Sequence, residues 1–151
     1  MQMDLGWRVE RATEVTDDLA QAINRLLPQL STRAPLVTSE RLREVLAAPS
    51  SHLYLAISDT GLVGGMLTLV VFPILTGWRA WVEDVVVDRE FRGEGVGRLL
   101  TEHAIEKARQ LGVATVDLTS RSTRVAAHGL YESVGFVVRD TSVYRFVVEA
   151  K

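Results

Sequence analysis

The sequence contains no cysteine among its 151 residues. It therefore cannot form a disulfide, bind a metal through thiolates or use a cysteine as a nucleophile. The three histidines, His52, His103 and His128, do not have the spacing of metal ligands. We therefore predict no metal site. The absence of cysteine alone excludes disulfides, thiolate metal sites and a cysteine nucleophile.

A large excess of charge of either sign is also missing. Lysine and arginine together number 17, aspartate and glutamate 19, and the net charge at pH 7 is −2. This balance argues against a nucleic-acid-binding surface as the main function. With 47% hydrophobic and 24% charged residues, the composition is typical of a globular protein with a full core. The length predicts a single domain over residues 1–151.

Neither a signal peptide nor a membrane span is indicated. The first residues, "MQMDLGWRVERATE", contain no apolar stretch of the kind that directs secretion. The longest apolar run, "LVGGMLTLVVFPILTGW" at 62–78, has paired glycines, a proline and a β-branched centre, which suit a buried hairpin. We therefore expect a cytoplasmic protein with neither a membrane nor a nucleic acid as its partner.

The spacing of apolar residues and turn signals predicts an α/β fold with one mixed sheet and helices on its faces. The predicted strands are 7–12, 52–58, 62–75, 79–88, 114–120 and 143–150. The predicted helices run from a cap at Thr16 to about Leu27, from Ser39 to Ala47, from the glycine segment to Leu111, and from a cap at Ser122 to Val134. The order is β-α-α-β-β-β-α-β-α-β.

Three glycines stand within five positions in "EDVVVDREFRGEGVGRLL" (83–100), where a strand gives way to a helix. A helix N-terminus has unpaired N–H groups and attracts phosphate, and Gly93, Gly95 and Gly97 would let the backbone close around it. Arg92 would add positive charge. From these residues alone, close packing against a strand is an equal alternative. The segment does not fit a Walker loop, because Arg98 stands where that loop needs lysine followed by serine or threonine. It does not fit a dinucleotide-binding fingerprint either, because several strands precede it.

Three segments in the same order resemble the GNAT superfamily of N-acetyltransferases. "RGEGVG" (92–97) resembles its Arg/Gln-x-x-Gly-x-Gly/Ala loop, "EDVVVD" (83–88) its bulged central strand, and "LYESVGF" (130–136) its late helix. The resemblance extends over nearly the whole chain. It implies transfer of an acetyl group from acetyl-coenzyme A, a co-substrate, to a primary amine, without a metal. Because no cysteine can carry the acetyl group, direct attack by the amine is the natural route.

The resemblance also implies positions for the coenzyme. Its pyrophosphate would bind the loop formed by Arg92, Gly93, Glu94, Gly95, Val96, Gly97 and Arg98. Its pantetheine arm would pair with Val85, Val86 and Val87, and the amide of Val85 or Val86 would stabilise the charge that develops on the thioester oxygen. Arg124 departs from the family, in which asparagine is common. Because arginine cannot accept a hydrogen bond, we expect it to reach a coenzyme phosphate instead.

Two side chains are implied as catalytic. Tyr131 matches the family tyrosine that protonates the departing thiolate, and Glu83 matches the acid that deprotonates the amine. Trp81 shares a strand face with Glu83 and is expected to desolvate it. Asp84 is the rival base, and His128 is a weaker candidate. Thr119, Ser120 and Arg121 stand at the end of the next strand. They are candidates for contact with the coenzyme or the acceptor, or alternatively they only cap the strand end.

The acceptor is a small-molecule or peptide amine that the sequence does not specify further. The connection at 24–42 and the hairpin at 71–80 are expected to shape its site, with an apolar wall formed by Leu26, Leu27, Leu30 and Trp78. The opposing hypothesis is a non-catalytic acyl-coenzyme A sensor or interaction module of the same fold. A nucleotide-binding protein is a third hypothesis. A homodimer is compatible with the resemblance, and "VYRFVVEA" (143–150) is a candidate edge strand for it.

Overall fold

The computed structural model describes residues 6–149, and its regular elements lie between Trp7 and Val134. The strands are β1 (Trp7–Arg11), β2 (Ser51–Ser58), β3 (Val63–Ile74), β4 (Gly77–Val87) and β5 (Thr115–Asp117). The helices are α1 (Asp17–Leu30), α2 (Ser39–Ala47), α3 (Val96–Gln110) and α4 (Val125–Val134), with a short 3-10 helix at Arg89–Phe91. These elements follow the predicted order as far as α4.

The five strands form one mixed sheet in the order β1-β2-β3-β4-β5. The first four are joined by antiparallel pairing, and β5 then pairs with β4 in parallel. A parallel partner requires a crossover, and α3 provides it by passing over one face of the sheet. The prediction of an α/β fold with one mixed sheet is confirmed.

Both faces of the sheet are covered by helices, and the alternation along β2 shows how. Tyr54 and Ala56 pack on the face covered by α3, whereas Leu53 and Leu55 pack on the face covered by α1 and α2. Consecutive residues of a strand point to opposite faces, so an almost uninterrupted apolar run serves two cores. The sheet is thus the central layer of three.

The end of α1 differs from the prediction. The sequence predicted a helix ending near Leu27, but α1 continues through Pro28 to Leu30. Proline lacks the N–H that would bond the carbonyl of Asn24, yet the next turn still closes through a 3.0 Å bond from Ser31 N to Leu27 O. The start of α4 also differs, because Arg124 occupies the N-cap position without a side-chain cap bond, and the predicted cap at Ser122 is wrong.

The predicted last strand is not part of the sheet. Residues 143–149 have no assigned strand, and every residue from 137 to 149 is exposed. Ala150, the last residue of the predicted strand, lies outside the described residues. The composition of this segment is right for a strand, but a strand also needs a partner, and none of the described residues pairs with it.

Candidate active site between the fourth and fifth strands

A β-bulge interrupts β4 at the centre of the candidate site. Thr68 of β3 pairs with Glu83, and Met66 pairs with Val86, so that two residues of β4 stand opposite the single residue Leu67. Asp84 takes the extra position with φ of 49°, and among the described residues no other non-glycine has a positive φ. Such backbone strain costs on the order of 1–3 kcal/mol and persists only where its surroundings enforce it.

The bulge reverses which face each side chain of β4 occupies. Val82 and Val85, three positions apart, both pack on the α3 side, and Val86 packs on the side of α1 and α2. An uninterrupted strand would have placed Val82 and Val86 on the same face. Glu83, next to Val82, therefore belongs to the side of α1 and α2. The bulge lies between Glu83 and the predicted pantetheine residues, Val85 to Val87.

The strands β4 and β5 separate immediately before the bulge. Their parallel pairing is limited to three residue pairs, from Arg79 with Thr115 to Trp81 with Asp117. From residue 82 to residue 87, this edge of β4 has no strand partner among the described residues. The backbone there presents N–H and C=O groups that an extended, amide-containing ligand can satisfy as an added strand. Thr119, Ser120 and Arg121 follow the end of β5 beside this opening.

The N-terminus of α3 opens at one end of this gap without a side-chain cap. Gly95 is its N-cap residue, with φ of 83°, and no side chain bonds the first turn. The first bond within the helix runs from Leu99 N to Gly95 O (3.0 Å), which leaves the three preceding amides without a carbonyl in the helix. Gly93 also has a positive φ, 85°. The loop therefore presents several N–H groups and a helix dipole to an anion.

The third glycine serves a different purpose from the other two. A Cβ on Gly97 would lie 3.1 Å from Leu130 Cδ2 and 3.5 Å from Val87 Cγ2. Gly97 therefore allows α4 to approach α3 and β4 closely. Of the two explanations that the sequence left open, close packing applies to Gly97. Gly93 and Gly95 adopt left-handed backbone conformations, and phosphate binding by the loop stays a prediction.

The side chains of the loop are held by neighbouring groups. Arg92 Nε donates to Val87 O (3.3 Å), and Val96 is buried in the core. Arg98 forms an ion pair with Glu102 (2.9 Å) and donates to Ser133 Oγ (3.1 Å) on α4. Whatever the loop binds, Val96 can contribute only through its backbone. The assignment of residues 92–98 to the pyrophosphate stays a prediction.

The structure adds an attachment of the loop that the sequence did not predict. Asp88, at the end of β4, is buried and accepts from Glu90 N (3.1 Å), while its other oxygen lies 3.3 Å from Arg25 Nε of α1. Gln29 of the same helix accepts from Arg89 N (2.9 Å). An aspartate before a short helix can be recognised in the sequence as a cap, but the partners on α1 are at least 60 positions away.

Tyr131 lies on α4, half-buried, with its ring 5.8 Å from that of Phe136 in an edge-to-face arrangement. Burial raises the pKa of the Tyr131 hydroxyl above its ordinary value of 10, and the positive charge of Arg124 offsets part of this effect. The hydroxyl therefore keeps its proton at neutral pH. This state is the one that a general acid requires.

Arg124 has a partner within the chain. Its Nη2 donates to Leu30 O (3.1 Å), the carbonyl of the last residue of α1. A guanidinium at a helix C-terminus is favourable because the last carbonyls lack partners and carry the negative end of the dipole. The bond joins the start of α4 to the end of α1, across the site. Contact of Arg124 with a coenzyme phosphate stays a prediction.

The two candidate bases lie next to each other and are both exposed. Glu83 is exposed, so Trp81 does not bury it as was expected. Asp84 occupies the extra position of the bulge. His128, on α4, is half-buried. The geometry brings Glu83, the unpartnered edge of β4 and the α3 N-terminus to one region without choosing between the two acids.

The residues that were expected to shape the acceptor site are arranged only partly as the sequence predicted. Asn24 makes two hydrogen bonds to the backbone of Val37, at 2.8 and 3.1 Å, which fasten the connection between α1 and α2. Leu26 is not part of an apolar wall, because its side chain is fully buried beneath α1. Leu27 and Leu30 are partly buried, and Trp78 remains 48% exposed on the hairpin. The available apolar surface is therefore smaller than predicted.

Outside the opening, a cavity of about 360 Å³ lies between α3 and the first two strands, lined by His52, Tyr54, His103 and Lys107, with Arg11 at its edge. Within residues 6–149, no three His, Asp or Glu side chains come together in a way that could hold a metal ion. None of the helices in this part of the chain combines the length and apolar character needed to cross a bilayer.

Comparison with known proteins agrees with the architecture. The sequence pattern described as "Acetyltransferase (GNAT) family" matches residues 17–136, more than half of the chain. The structure of an aminoglycoside acetyltransferase from an uncultured soil metagenomic sample superimposes with a TM-score of 0.83, covering 95% of this chain and 97% of that one. Its sequence identity is 18%, so that the similarity concerns the fold alone.

Curated relatives are named N-acetyltransferases. The ribosomal protein bS18-alanine N-acetyltransferase of Escherichia coli (strain K12) is 43% identical over 53 residues, which are 35% of this chain and 36% of that protein. The matched part is thus only about a third of that relative's length. Glucosamine 6-phosphate N-acetyltransferase 1 of Oryza sativa subsp. japonica is 31% identical over 134 residues, covering 83% of this chain and 79% of the relative.

Proposed function

The chain belongs to the Acetyltransferase (GNAT) family, and on that premise we propose that it is an N-acetyltransferase that moves an acetyl group from acetyl-coenzyme A to a primary amine. The observation that carries the proposal is the opening between β4 and β5, with a bulge, an acidic residue and an uncapped helix N-terminus around it. A single acetyltransferase domain over residues 1–151 is part of the proposal.

The residues present fit acetyl-coenzyme A. The uncapped start of α3, with Gly93 and Gly95 in the left-handed region, suits a pyrophosphate because its amides have no partners in the helix. The unpaired edge of β4 at residues 85–87 suits the amide-containing arm, which would complete the hydrogen bonding of that edge. We assign the two ends of the coenzyme to these two features.

When bound, acetyl-coenzyme A supplies an activated acetyl group as a thioester. We assign to Glu83 the removal of a proton from the acceptor amine, directly or through water, and to the amide of Val85 or Val86 the stabilisation of negative charge on the thioester oxygen. Tyr131 donates its proton to the departing sulfur, and its raised pKa keeps the hydroxyl protonated before the transfer. The amine nitrogen gains the acetyl group, and the thiol leaves with the proton from Tyr131.

The acceptor approaches from the side of α1 and α2, because Glu83 belongs to that face. Exposed Trp78 and the partly buried Leu27 and Leu30 offer moderate apolar contact. One relative is named for an alanine of ribosomal protein bS18 and another for glucosamine 6-phosphate. We propose a small-molecule or peptide amine as acceptor and a cytoplasmic enzyme, consistent with a chain that has no cysteine to be oxidised.

The test is the release of free thiol from acetyl-coenzyme A in the presence of different amines. The panel contains a peptide with N-terminal alanine, glucosamine 6-phosphate, aminoglycosides, polyamines and free amino acids. The protein contributes no thiol background, because it lacks cysteine. Amine-dependent release above the rate without protein supports the proposal. Calorimetric binding of coenzyme A is measured alongside, so that binding and turnover are separated.

The same experiment separates the enzyme from the sensor. If coenzyme A binds and no amine in the panel, extended to lysine-containing peptides, causes thiol release, the transferase is rejected in favour of an acyl-coenzyme A sensor. If the coenzyme does not bind at all, both are rejected. We also propose that the chain forms a homodimer.

A further inference from the structure

The cavity of about 360 Å³ beside α3 lies away from the opening between β4 and β5. Its walls come from β1, β2 and the second half of α3, and its volume is at the lower end of the roughly 300–1,000 Å³ typical of small-molecule sites. Lys107 in its wall follows Gly97 of the glycine loop by ten positions, which is about 15 Å along the helix. The cavity is therefore separate from the proposed coenzyme site.

Positive charge converges on this cavity from two elements. Arg11, the last residue of β1, and Lys107, in the last turn of α3, both line it. His52 and His103 also line it, and each can add a positive charge when it is protonated. No aspartate or glutamate within residues 6–149 is among the lining residues. Like charges that face one another without a counter-charge attract an anion.

The two fixed cations are not neutralised within the described part of the chain. The ion pairs of β1 and of the end of α3 use Arg8 and Arg109 instead, and neither Arg11 nor Lys107 pairs with a described carboxylate. Lys107 Nζ donates only to the neutral amide oxygen of Gln110 (3.4 Å). Arg11 is exposed and Lys107 is half-buried, so that an anion from solvent can reach both.

The two histidines are close enough to respond to whatever the cations bind. The ring of His103 lies 4.8 Å from that of Tyr54, and His52 Nδ1 lies 3.4 Å from the Tyr54 hydroxyl oxygen. Burial and then the charge of Arg11 lower the pKa of His52, and burial and then Lys107 lower that of His103. Tyr54 stays neutral because burial raises its pKa. A bound anion would offset the charge effect on both imidazoles.

The end of α3 does not oppose an anion as an open helix C-terminus would. The carbonyl of Lys107 accepts from Leu111 N (3.0 Å), and the carbonyl of Ala108 accepts from Val113 N (3.0 Å). Carbonyls at a helix end repel an anion most when they lack partners, and these two have them. The positive side chains therefore dominate the charge that the cavity presents.

The walls favour a phosphate group attached to an organic part. A phosphate group carries about −1.5 to −2 charges at pH 7 and so matches two fixed cations better than a carboxylate does. The guanidinium of Arg11 can bind two phosphate oxygens at once, and Lys107 can add a point charge. The remaining space is bordered by apolar Val9 and Leu111. Inorganic phosphate alone would leave this apolar part of the cavity unfilled.

We propose that this cavity binds a small organic phosphate, with the phosphate group between Arg11 and Lys107 and the organic part against Val9 and Leu111. Protonation of His52 and His103 strengthens the binding, because each imidazolium adds positive charge beside the phosphate. No bond is made or broken there. The proposal does not rest on the acetyl transfer, because the cavity shares no lining residue with the opening between β4 and β5.

The experiment follows the imidazole protons of His52 and His103 by NMR while inorganic phosphate is added to the full-length chain at constant ionic strength. This readout is local, so that phosphate held by the glycine loop does not contribute. We expect saturable shifts, and higher pKa values for both imidazoles in saturating phosphate than in chloride. Arg11→Gln and Lys107→Gln should each raise the Kd about ten- to a hundredfold, because a charge-assisted contact is lost.

Arg8→Gln and Arg109→Gln are the matched controls. Each removes one positive charge from β1 or α3, as the test variants do, but from a residue that does not line the cavity. The Kd for phosphate should therefore change less than twofold. A loss as large as in Arg11→Gln and Lys107→Gln would show that only the net charge matters, and it would overturn the site.

Two further probes test the chemistry of the ligand. Phenyl phosphate should bind more tightly than inorganic phosphate, because its ring can cover Val9 and Leu111, and acetate should bind at least about tenfold more weakly. Shifts that grow without saturation, or imidazole pKa values that phosphate leaves unchanged, would overturn the site. Acetate that binds as tightly as phosphate, or phenyl phosphate that binds no more tightly, would overturn the assignment to an organic phosphate.

Discussion

Gly97 of α3 lies so close to Leu130 of α4 that a Cβ built on the glycine would be 3.1 Å from Leu130 Cδ2. The next residue after Leu130 is Tyr131, the proposed general acid. The contact therefore sets the distance between the helix that begins with the glycine loop and the helix that carries the tyrosine. A change in the packing of Leu130 should therefore change the position of Tyr131.

Gly97→Ala should push α4 away from the opening. Overpacking of this kind costs about 1–3 kcal/mol of stability, and a displaced Tyr131 should lower kcat by up to about a hundredfold. Shortening the opposing side chain in Gly97→Ala/Leu130→Ala should recover part of kcat relative to Gly97→Ala alone. Steady-state kinetics and urea unfolding of the four proteins of this cycle measure both effects. Additive losses in kcat would contradict the coupling.

Gly95→Ala should weaken coenzyme binding through the backbone alone. The residue has φ of 83° and no atom within 4 Å of a built Cβ, so that alanine meets only conformational strain, of about 1–2 kcal/mol. If the loop shifts and one charge-assisted amide contact is lost, the Kd for coenzyme A should rise about ten- to a hundredfold.

Gly61 provides the matched control for this prediction. It has φ of 85° and equally open surroundings, but it lies in the turn between β2 and β3. Gly61→Ala should therefore destabilise the fold by a similar amount and leave the Kd for coenzyme A unchanged. Calorimetry and urea unfolding compare the two variants. Equal effects on Kd would show that the left-handed glycine of the loop has no special part in binding.

The choice between the two acids of β4 can be tested by removing one charge at a time. Glu83→Gln should lower kcat on the order of a hundred- to ten-thousandfold, because the amine loses its base. Asp84→Asn should retain most of the activity, and asparagine tolerates the positive φ of 49° at this position. Thiol release at saturating coenzyme measures both. The reverse ranking would assign the base to Asp84.

Tyr131→Phe should lower kcat by about a hundredfold or more while the KM for acetyl-coenzyme A changes little. Because burial raises the pKa of Tyr131 above 10, the hydroxyl of the wild-type enzyme should remain protonated from pH 6 to pH 9. Its contribution to kcat should therefore be constant over this range. Tyr54→Phe removes a hydroxyl from a tyrosine in the separate cavity beside α3 and should leave kcat unchanged. A Tyr131→Phe enzyme with full kcat would refute the general-acid role.

The free energy of unfolding should decrease as the pH is lowered through a window that is set by two histidines. Burial lowers the pKa of His52 below 6.5, assisted by the charge of Arg11, and burial and Lys107 do the same for His103. The unfolded chain then binds protons more readily than the folded one. The free energy of unfolding is therefore highest above pH 6.5 and decreases as the pH falls from 6.5 to the folded pKa values.

Urea unfolding at pH 7.5, 6.5, 5.5 and 5.0 tests this prediction. The double variant His52→Gln/His103→Gln should show a smaller decrease across the window than the wild-type protein. Proton NMR titration of the two imidazoles measures the pKa values themselves. Midpoints at or above 6.5 for both histidines would remove the proposed cause.

Much of the fold could be predicted because its signals are local. Thr16 caps α1, and Gly112 and Gly135 follow α3 and α4 with positive φ, as their sequence positions indicate. Each signal acts within one turn of its own helix, so that neighbouring residues suffice to recognise it. The glycine loop, the order of elements and the family resemblance were accessible for the same reason.

Other features depend on residues that are far apart in sequence. The family resemblance implied a bulge in β4, but its position at Asp84, and with it the face of each later side chain, depends on pairing with β3. Arg124 was assigned to the coenzyme, and its bond to Leu30 spans 94 positions. The attachment of Asp88 to Arg25 likewise joins two elements that no short motif connects.

The sequence by itself predicted most of the helices and strands, the position of the glycine loop and the residues that are proposed as acid and base. The tertiary structure decided which of these meet. It turned Glu83 toward α1 and α2, separated β4 from β5 after Trp81, and gave residues 143–149 no strand partner within residues 6–149. Propensity acts over a few neighbouring residues, whereas strand pairing, bulges and edges depend on what another part of the chain, or another chain, brings to the same place.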